Sequence, residues 1–300
     1  MIYTITVNPA IDYIIDVNKF NIGEINKAKN EKILSGGKGI NVSIVLSNLG
    51  IPNVALGFIA GFTGKEIKRK VEEAGVKTDF IELKQGMSRI NIKIKSEYET
   101  AINSNGPEIR NEAFEKLFNK IEKLEQGDVL VLAGNIQNNI QKDIYEKICK
   151  IVENKSIKII ADATGKLLVN VLKHHPFLIK PNKYELEEIF GVKINSNEEI
   201  VEYASKLQQY GASNVMISMD ANGAILLCEN KEVFYIQAPK GKLVNSVGSG
   251  DSMVAGFLAE FLKSGNYEKS LKYAVASGSA SAFSENLATK AEIEKLLEKM

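Results

Sequence analysis

The sequence predicts an α/β fold with a largely parallel central sheet, and three observations lead there. Continuous short apolar runs recur along the chain, as in "DVLVLAG" (128–134) and "IKIIADA" (157–163), and such runs suit parallel strands covered on both faces. Segments with helical spacing alternate with them over most of the length. The chain has 300 residues, 44% hydrophobic and 25% charged, which is enough to bury a large core without disulfides or metals as staples.

Taken in order, "IYTITV" (2–7) alternates and is rich in β-formers, so it reads as a strand. "KGINVSIVLSNLG" reads as a helix from Lys38 that stops at Gly50. "NVALGFIA" (53–60) is a buried strand, and "GKEIKRKVEEAG" an amphipathic helix ending at Gly75. A helix at 141–152 separates the runs at 128–134 and 157–163. A strand in "HPFLIKPN", helices in "KYELEEIFG" and "EEIVEYASKLQQYG", and a strand "NVMISM" complete the alternation.

Two stretches break the pattern. "IDYIIDVNKF" with "NKAKNEKILS" reads as a pair of short strands, and "SRINIKIKSEYETAIN" as a hairpin. In the hairpin Arg89, Asn91 and Lys93 share one face, while Ile90, Ile92 and Ile94 share the other. These strands, from about 11–35 and 86–104, form a small separate sheet within a single 300-residue domain. Its polar face is placed to close over a site; its apolar face needs a cover, such as a second subunit.

Composition narrows the function. Lys plus Arg is 38 and Asp plus Glu is 37, without the basic surplus expected of a nucleic-acid binder. Cys149 and Cys228 lie in apolar segments outside any C-x-x-C pair and read as buried thiols of a reducing compartment. The N-terminus lacks the pattern of a secretion signal, and no apolar run approaches a bilayer span, so a cytoplasmic protein without a membrane partner is expected.

Two glycine-rich turns carry the chemistry. In "NSVGSGDSMVAGF" (245–257), Gly248 and Gly250 flank Ser249, Asp251 follows, and an apolar helix begins. Glycines let successive N–H groups point into one concavity, and the helix adds its positive end, giving an anion cradle. Asp251 would repel a bound phosphate, so it needs a purpose; taking a proton from an attacking hydroxyl is one. A plain turn with a capping aspartate fits the same residues. In "LSGGKGINVS" (34–43), Gly36, Gly37 and Gly39 surround Lys38, with Asn41 in the first turn of the following helix. Lys38 offers a point charge for a phosphate, or is a solvated lysine in an ordinary turn. Neither a Walker A loop nor a G-x-G-x-x-G fingerprint is present, which leaves a dinucleotide oxidoreductase without its signature.

Together "SGGKGIN" and "VGSGDSMVAGF", in this order and at this distance, resemble the two signatures of the ribokinase-like, or PfkB, carbohydrate kinases. "TVNPAID", "SRINIKI" and "KPNKYELEEIFG" are similar to the branch that phosphorylates ketose phosphates, and the likeness runs over nearly the whole chain. The resemblance implies a ribokinase-like three-layer α/β/α fold with a mostly parallel central sheet and a small β-sheet lid. It makes Asp251 the general base and the N–H groups of Val247, Gly248, Ser249 and Gly250 the anion hole. Asp12, Gly37, Lys38, Asn41, Arg89, Asn91 and Ser104 would contact the sugar. Arg89 and Lys38 would hold a phosphate already on it, because a guanidinium is needed for a sugar phosphate and not for a plain sugar. Lys180, Asn182, Ser218, Gly223, Val247 and Ser277 would meet the nucleotide, and Asn182 and Glu185 would organise magnesium through waters. The cofactor implied is Mg2+ with ATP, a monovalent cation being an added option, and the assembly a homodimer through the lid.

The expected reaction is phosphorylation of fructose 1-phosphate at C6, with tagatose 6-phosphate as the alternative acceptor. One departure stands out. "LAGNIQNNIQ" keeps Gly134 but has Asn135 and Gln137 where the family usually shows serine and proline in a Gly-Ser-x-Pro turn. It keeps open a third reading, a non-catalytic sugar-phosphate sensor on the same scaffold.

Overall fold

The computed structural model describes residues 1–134, 136 and 143–300. The strands are β1 (Ile2–Thr6), β2 (Ala10–Asp16), β3 (Asn30–Gly36), β4 (Asn53–Ala60), β5 (Lys77–Thr78), β6 (Ile81–Leu83), β7 (Arg89–Lys95), β8 (Thr100–Asn103), β9 (Val129–Ala133), β10 (Lys158–Asp162), β11 (Leu178–Ile179), β12 (Asn214–Ser218), β13 (Ala224–Leu227) and β14 (Val233–Ile236). The helices are α1 (Lys38–Asn48), α2 (Gly61–Glu73), α3 (Asn111–Ile121), α4 (Ile144–Val152), α5 (Gly165–Leu172), α6 (Lys183–Phe190), α7 (Asn197–Gln209), α8 (Ser249–Ser264), α9 (Tyr267–Ala282) and α10 (Lys290–Leu297).

The large sheet runs β14-β13-β12-β11-β10-β9-β1-β4-β5, with β6 pairing further along β4. It is parallel except for the hairpin-linked edge β12-β13-β14. The central strands are apolar on both faces because both faces are covered. Along β9, Leu130 and Leu132 enter the core beneath α3, α4, α5 and α7, while Val129, Val131 and Ala133 enter the core beneath α1, α8 and α9. The three-layer α/β/α expectation holds. Cys149 and Cys228 are buried, one in each core. No helix among the described residues is long and apolar enough to cross a membrane.

The second sheet is β3-β2-β7-β8, with β2 and β7 parallel and the outer pairs antiparallel. The register puts Asp12 opposite Asn91 and Leu34 on one face, and Ile11 opposite Ile90 on the other. On that apolar face Ile11 and Ile90 pack with Ile40, Ile67 and Val71, so α1 and α2 cover its inner end. Its outer end is bare, with Ile33 46% and Ile102 53% exposed. The helix expected at 141–152 appears as α4 from Ile144; Gln141 and Lys142, like Asn135 and Gln137 of the departing loop, lie outside the described residues.

Candidate active site

Parallel α/β sheets bind ligands beyond the carboxyl ends of their strands. Here a cavity of about 940 Å3 opens there, between the large sheet and the polar face of the small one.

At its centre stands Asp251, in the first turn of α8 and only 5% exposed. Its Oδ2 accepts a 2.7 Å hydrogen bond from Asn41 Nδ2, so α1 fixes the carboxylate from 210 residues away. Burial, and after it the negative charge of Asp162, pushes Asp251 up to about 6, against the pull of Lys38, Asn41 and Lys180. A base with that proton affinity is ionised at pH 7 yet avid enough to take a proton.

Gly248 caps α8 in the left-handed region, at φ 79°. The cradle differs in detail from the expectation. Val247 N–H donates to Asn245 Oδ1 at 3.2 Å and Ser249 N–H to the Ser246 carbonyl at 3.3 Å. Both residues line the cavity, but the open donors are the N–H groups of Gly248, Gly250 and Asp251. A Cβ at Gly250 would lie 3.1 Å from Lys180 Nζ, a tight contact with that side chain's tip.

Lys38 sits at this same end. Its Nζ is 3.2 Å from Asp162 Oδ1, and Lys180 Nζ is 3.5 Å from that oxygen. Burial alone would lower Lys38, but Asp162, then Asp251 and Glu185, outweigh it and raise it. Burial alone would raise Asp162, and Lys180 with Lys38 holds it below the usual carboxylate range. Lys38, expected to grip the phosphate already on the sugar, has its ammonium against Asp162 in the same cavity that Arg89 lines. Gly37 and Gly39 approach β1 so closely that a Cβ would lie 2.6 Å from Thr6 in each case, which explains the glycine run.

The N-x-x-E motif is first of all a capping box on α6. Asn182 Oδ1 accepts from Glu185 N–H, and Glu185 Oε2 accepts from Asn182 N–H, both at 2.8 Å. Asn182 Nδ2 and Glu185 Oε1 are left for the cavity that both residues line. No group of three acids, histidines or cysteines converges among the described residues. One open carboxylate oxygen and one amide are compatible with an ion that keeps most of its waters and brings other ligands with it.

The lid supplies the opposite wall. Asp12 Oδ1 accepts from Asn91 Nδ2 at 2.9 Å and Oδ2 from Lys93 Nζ at 3.0 Å. Asn91 Oδ1 is buried without a partner among the described residues, an open acceptor for a ligand hydroxyl. Arg89 donates from Nε to the Asn8 carbonyl at 3.1 Å, and its half-buried guanidinium is lowered by burial against the pull of Asp12. Ser104 does not line the cavity; its hydroxyl donates to the Ile90 carbonyl at 2.7 Å and ties β8 to β7.

The cavity is also lined by apolar residues, among them Ala238, Pro239, Leu243, Val275 and Phe283, with Gly278 between helix faces. Ser218 and Gly223 line it too, and Asp220 takes φ 49° in the intervening turn. Ser277 is corrected: it is wholly buried, donates to the Tyr273 carbonyl at 2.8 Å, and packs where α9 meets Gly256 of α8. Sequence reasoning passed over Asp162, Phe283 and Leu243. Only Asp162 left a trace, as an acid ending an apolar run.

A buried carboxylate, three open N–H donors, two lysines and several apolar side chains thus line one cavity, which has the parts that phosphoryl transfer requires. The comparisons agree. The model of the pfkB family carbohydrate kinases matches residues 5–294. A 1-phosphofructokinase of Bacillus subtilis is 44% identical over 99% of this chain and 97% of its own. A D-tagatose-1-phosphate kinase of Bacillus licheniformis is 36% identical over 98% of this chain and 97% of its own. A Staphylococcus aureus protein solved as a proposed phosphofructokinase superposes with a TM-score of 0.88 at 41% identity, covering 99% of this chain and 97% of that one. The chain belongs to the pfkB family of carbohydrate kinases.

Proposed function

We propose that the protein transfers the γ-phosphoryl group of Mg·ATP to the C6 hydroxyl of fructose 1-phosphate, giving fructose 1,6-bisphosphate. The observation that carries this is the polarity of the cavity: a buried carboxylate, Asp251, at the cradle, and on the lid wall a guanidinium, Arg89, that feels Asp12 but forms no ion pair among the described residues. A ketose bound between them turns a terminal hydroxyl to Asp251 and its existing phosphate to Arg89. Asp12 and Asn91 take the ring hydroxyls, and Asn41 keeps Asp251 aimed. The N–H groups of Gly248 and Gly250, with Lys38 and Lys180, meet the charge on the phosphoryl oxygens as it passes. Mg2+, when bound with the nucleotide, neutralises the phosphate charge. The apolar lining at Leu243, Val275 and Phe283 takes the adenine, and closure of the lid, drawn from about 11–35 and 86–104, keeps water away from the phosphoryl group.

Arg89→Met tests this reading. Loss of a charge-assisted contact costs roughly 1.5–3 kcal/mol, so KM for fructose 1-phosphate should rise about 10–100-fold with a smaller change in kcat. An unchanged KM would remove the phosphate from the lid wall. The B. licheniformis relative supports a second reading, a different ketose 1-phosphate held in the same direction. Potassium against choline chloride in the same assay shows whether a monovalent cation is required.

The bare outer lid face, with Ile33 and Ile102 exposed, supports a homodimer closed through this sheet. Light scattering should give twice the 33.0 kDa chain mass, and Ile102→Lys should return it to one; a monomeric parent protein would refute the dimer.

A further inference from the structure

Lys93 shares the polar face of the lid strand with Arg89 and Asn91, and no step above uses it. Its Nζ lies 3.0 Å from Asp12 Oδ2, and both side chains are largely buried, at 13% and 12% exposure. The pairing of β2 with β7 sets Ala10 beside Arg89, Asp12 beside Asn91 and Ile14 beside Lys93. Asp12 therefore has a cation two residues along the facing strand in each direction. Its carboxylate leans toward the Arg89 end: a Cβ at Gly36, whose partner on β2 is Ala10, would lie 2.7 Å from Asp12 Oδ1. Yet it pairs with Lys93, and Arg89 donates instead to the Asn8 carbonyl at 3.1 Å.

We propose that Lys93 is a positioning residue for the sugar phosphate: by pairing with Asp12 it keeps that carboxylate off Arg89 and leaves the guanidinium open to the phosphate of the acceptor. This rests on the reading above, in which Arg89 takes that phosphate, and adds a residue to it. Without Lys93 the Asp12 carboxylate would turn to Arg89, because a guanidinium beside a carboxylate out of water is the strongest partner left to either. The incoming phosphate would then have to displace an internal anion before it could bind. Lys93 is not among the residues that line the cavity, so its effect passes through Asp12. Asn91 keeps the other Asp12 oxygen at 2.9 Å, and the two donors together aim the carboxylate.

The test is Lys93→Met, read by calorimetric binding of fructose 1-phosphate and by turnover. Expected are a Kd and a KM for fructose 1-phosphate higher by about 10-fold, with kcat and the KM for ATP within about 3-fold, because the base and the cradle are untouched. Lys93→Arg, which keeps the cation, should stay within about 3-fold of the parent. Asp12→Asn supplies the decisive background. An amide has no charge to carry to Arg89, so there Lys93→Met should cost no more than about 3-fold. A parental Kd in Lys93→Met, a loss of kcat as large as the loss in Kd, or the same loss in the Asp12→Asn background would each overturn the proposal, the last by showing that Lys93 acts on the phosphate itself. A crystal structure of Lys93→Met without sugar should show Asp12 within hydrogen-bond distance of the Arg89 guanidinium; the two standing apart would overturn it as well. That arm needs no ketose phosphate, so failure of the acceptor assignment is told apart from failure of this one.

Discussion

Asp251→Asn should lower kcat by about 10³-fold, within the range for loss of a general base, while both KM values stay within about 3-fold. The amide keeps the size of the carboxylate and can still accept from Asn41, so the site keeps its shape and loses only the proton acceptor. The same substitution should make the protein more stable. Burial and Asp162 raise the Asp251 carboxyl to about 6 in the folded protein, against 3.8 as the ordinary value. The folded state therefore binds the proton more tightly than the unfolded one. The resulting destabilisation grows as pH rises from about 4 to 6 and is fully present above that. Removing the charge should return roughly 3 kcal/mol at pH 7–8, a rise in Tm alongside a loss of activity. It follows that kcat/KM of the parent enzyme should fall on the acid side of about pH 6. The phosphates of both substrates titrate nearby, so the variant's residual activity, which should lack that limb, is the control. A variant with parental kcat, or one with lower Tm, would contradict this account of Asp251.

Gly248→Ala should be nearly as damaging to transfer for a different reason. At φ 79° an alanine is strained by about 1–2 kcal/mol. Its Cβ would meet Leu287 Cδ2 at 2.4 Å and approach Asn41 Nδ2 to 3.4 Å. Leu287 can swing aside because the contact is at the tip of a flexible side chain. The fold should survive with Tm a few degrees lower. The turn, however, can relax only by rotating the N–H groups of Gly248 and Gly250 away from the concavity and by pressing on the residue that aims the base. A loss of about 10²-fold in kcat is expected, the scale for one displaced donor of an anion hole. Parental kcat with only the Tm change would show that the cradle is a turn and nothing more.

Much of this was readable in the sequence, for identifiable reasons. Glycines mark places where backbone must come close or turn left-handed, and Gly37, Gly39 and Gly248 do so around the cavity. The alternation in "RINIKI" gave the two faces of the lid strand, because strand period is fixed by pleat. Long-range chemistry was not readable. Nothing local announces that Asn41 will hold Asp251, or that Asp162 will meet Lys38 of α1 and Lys180 just after β11, since only the sheet order brings those strand ends together. Hydroxyls misled in the opposite direction. Ser277 and Ser104 look available in the sequence, yet each donates to a backbone carbonyl within its own element or the next strand. Val247 and Ser249 erred in the same way at the level of the backbone, because a turn that forms a cradle also bonds to itself.

The central claim is a phosphoryl transfer whose acceptor is a ketose with its phosphate at C1. The most direct measurement is ADP release from Mg·ATP at limiting concentrations of fructose 1-phosphate, tagatose 6-phosphate, fructose 6-phosphate and ribose. The account predicts the highest kcat/KM for fructose 1-phosphate, with fructose 1,6-bisphosphate as the product. A higher kcat/KM for tagatose 6-phosphate would reverse the direction of the sugar in the cavity, and no release with any of the four would contradict the assigned reaction.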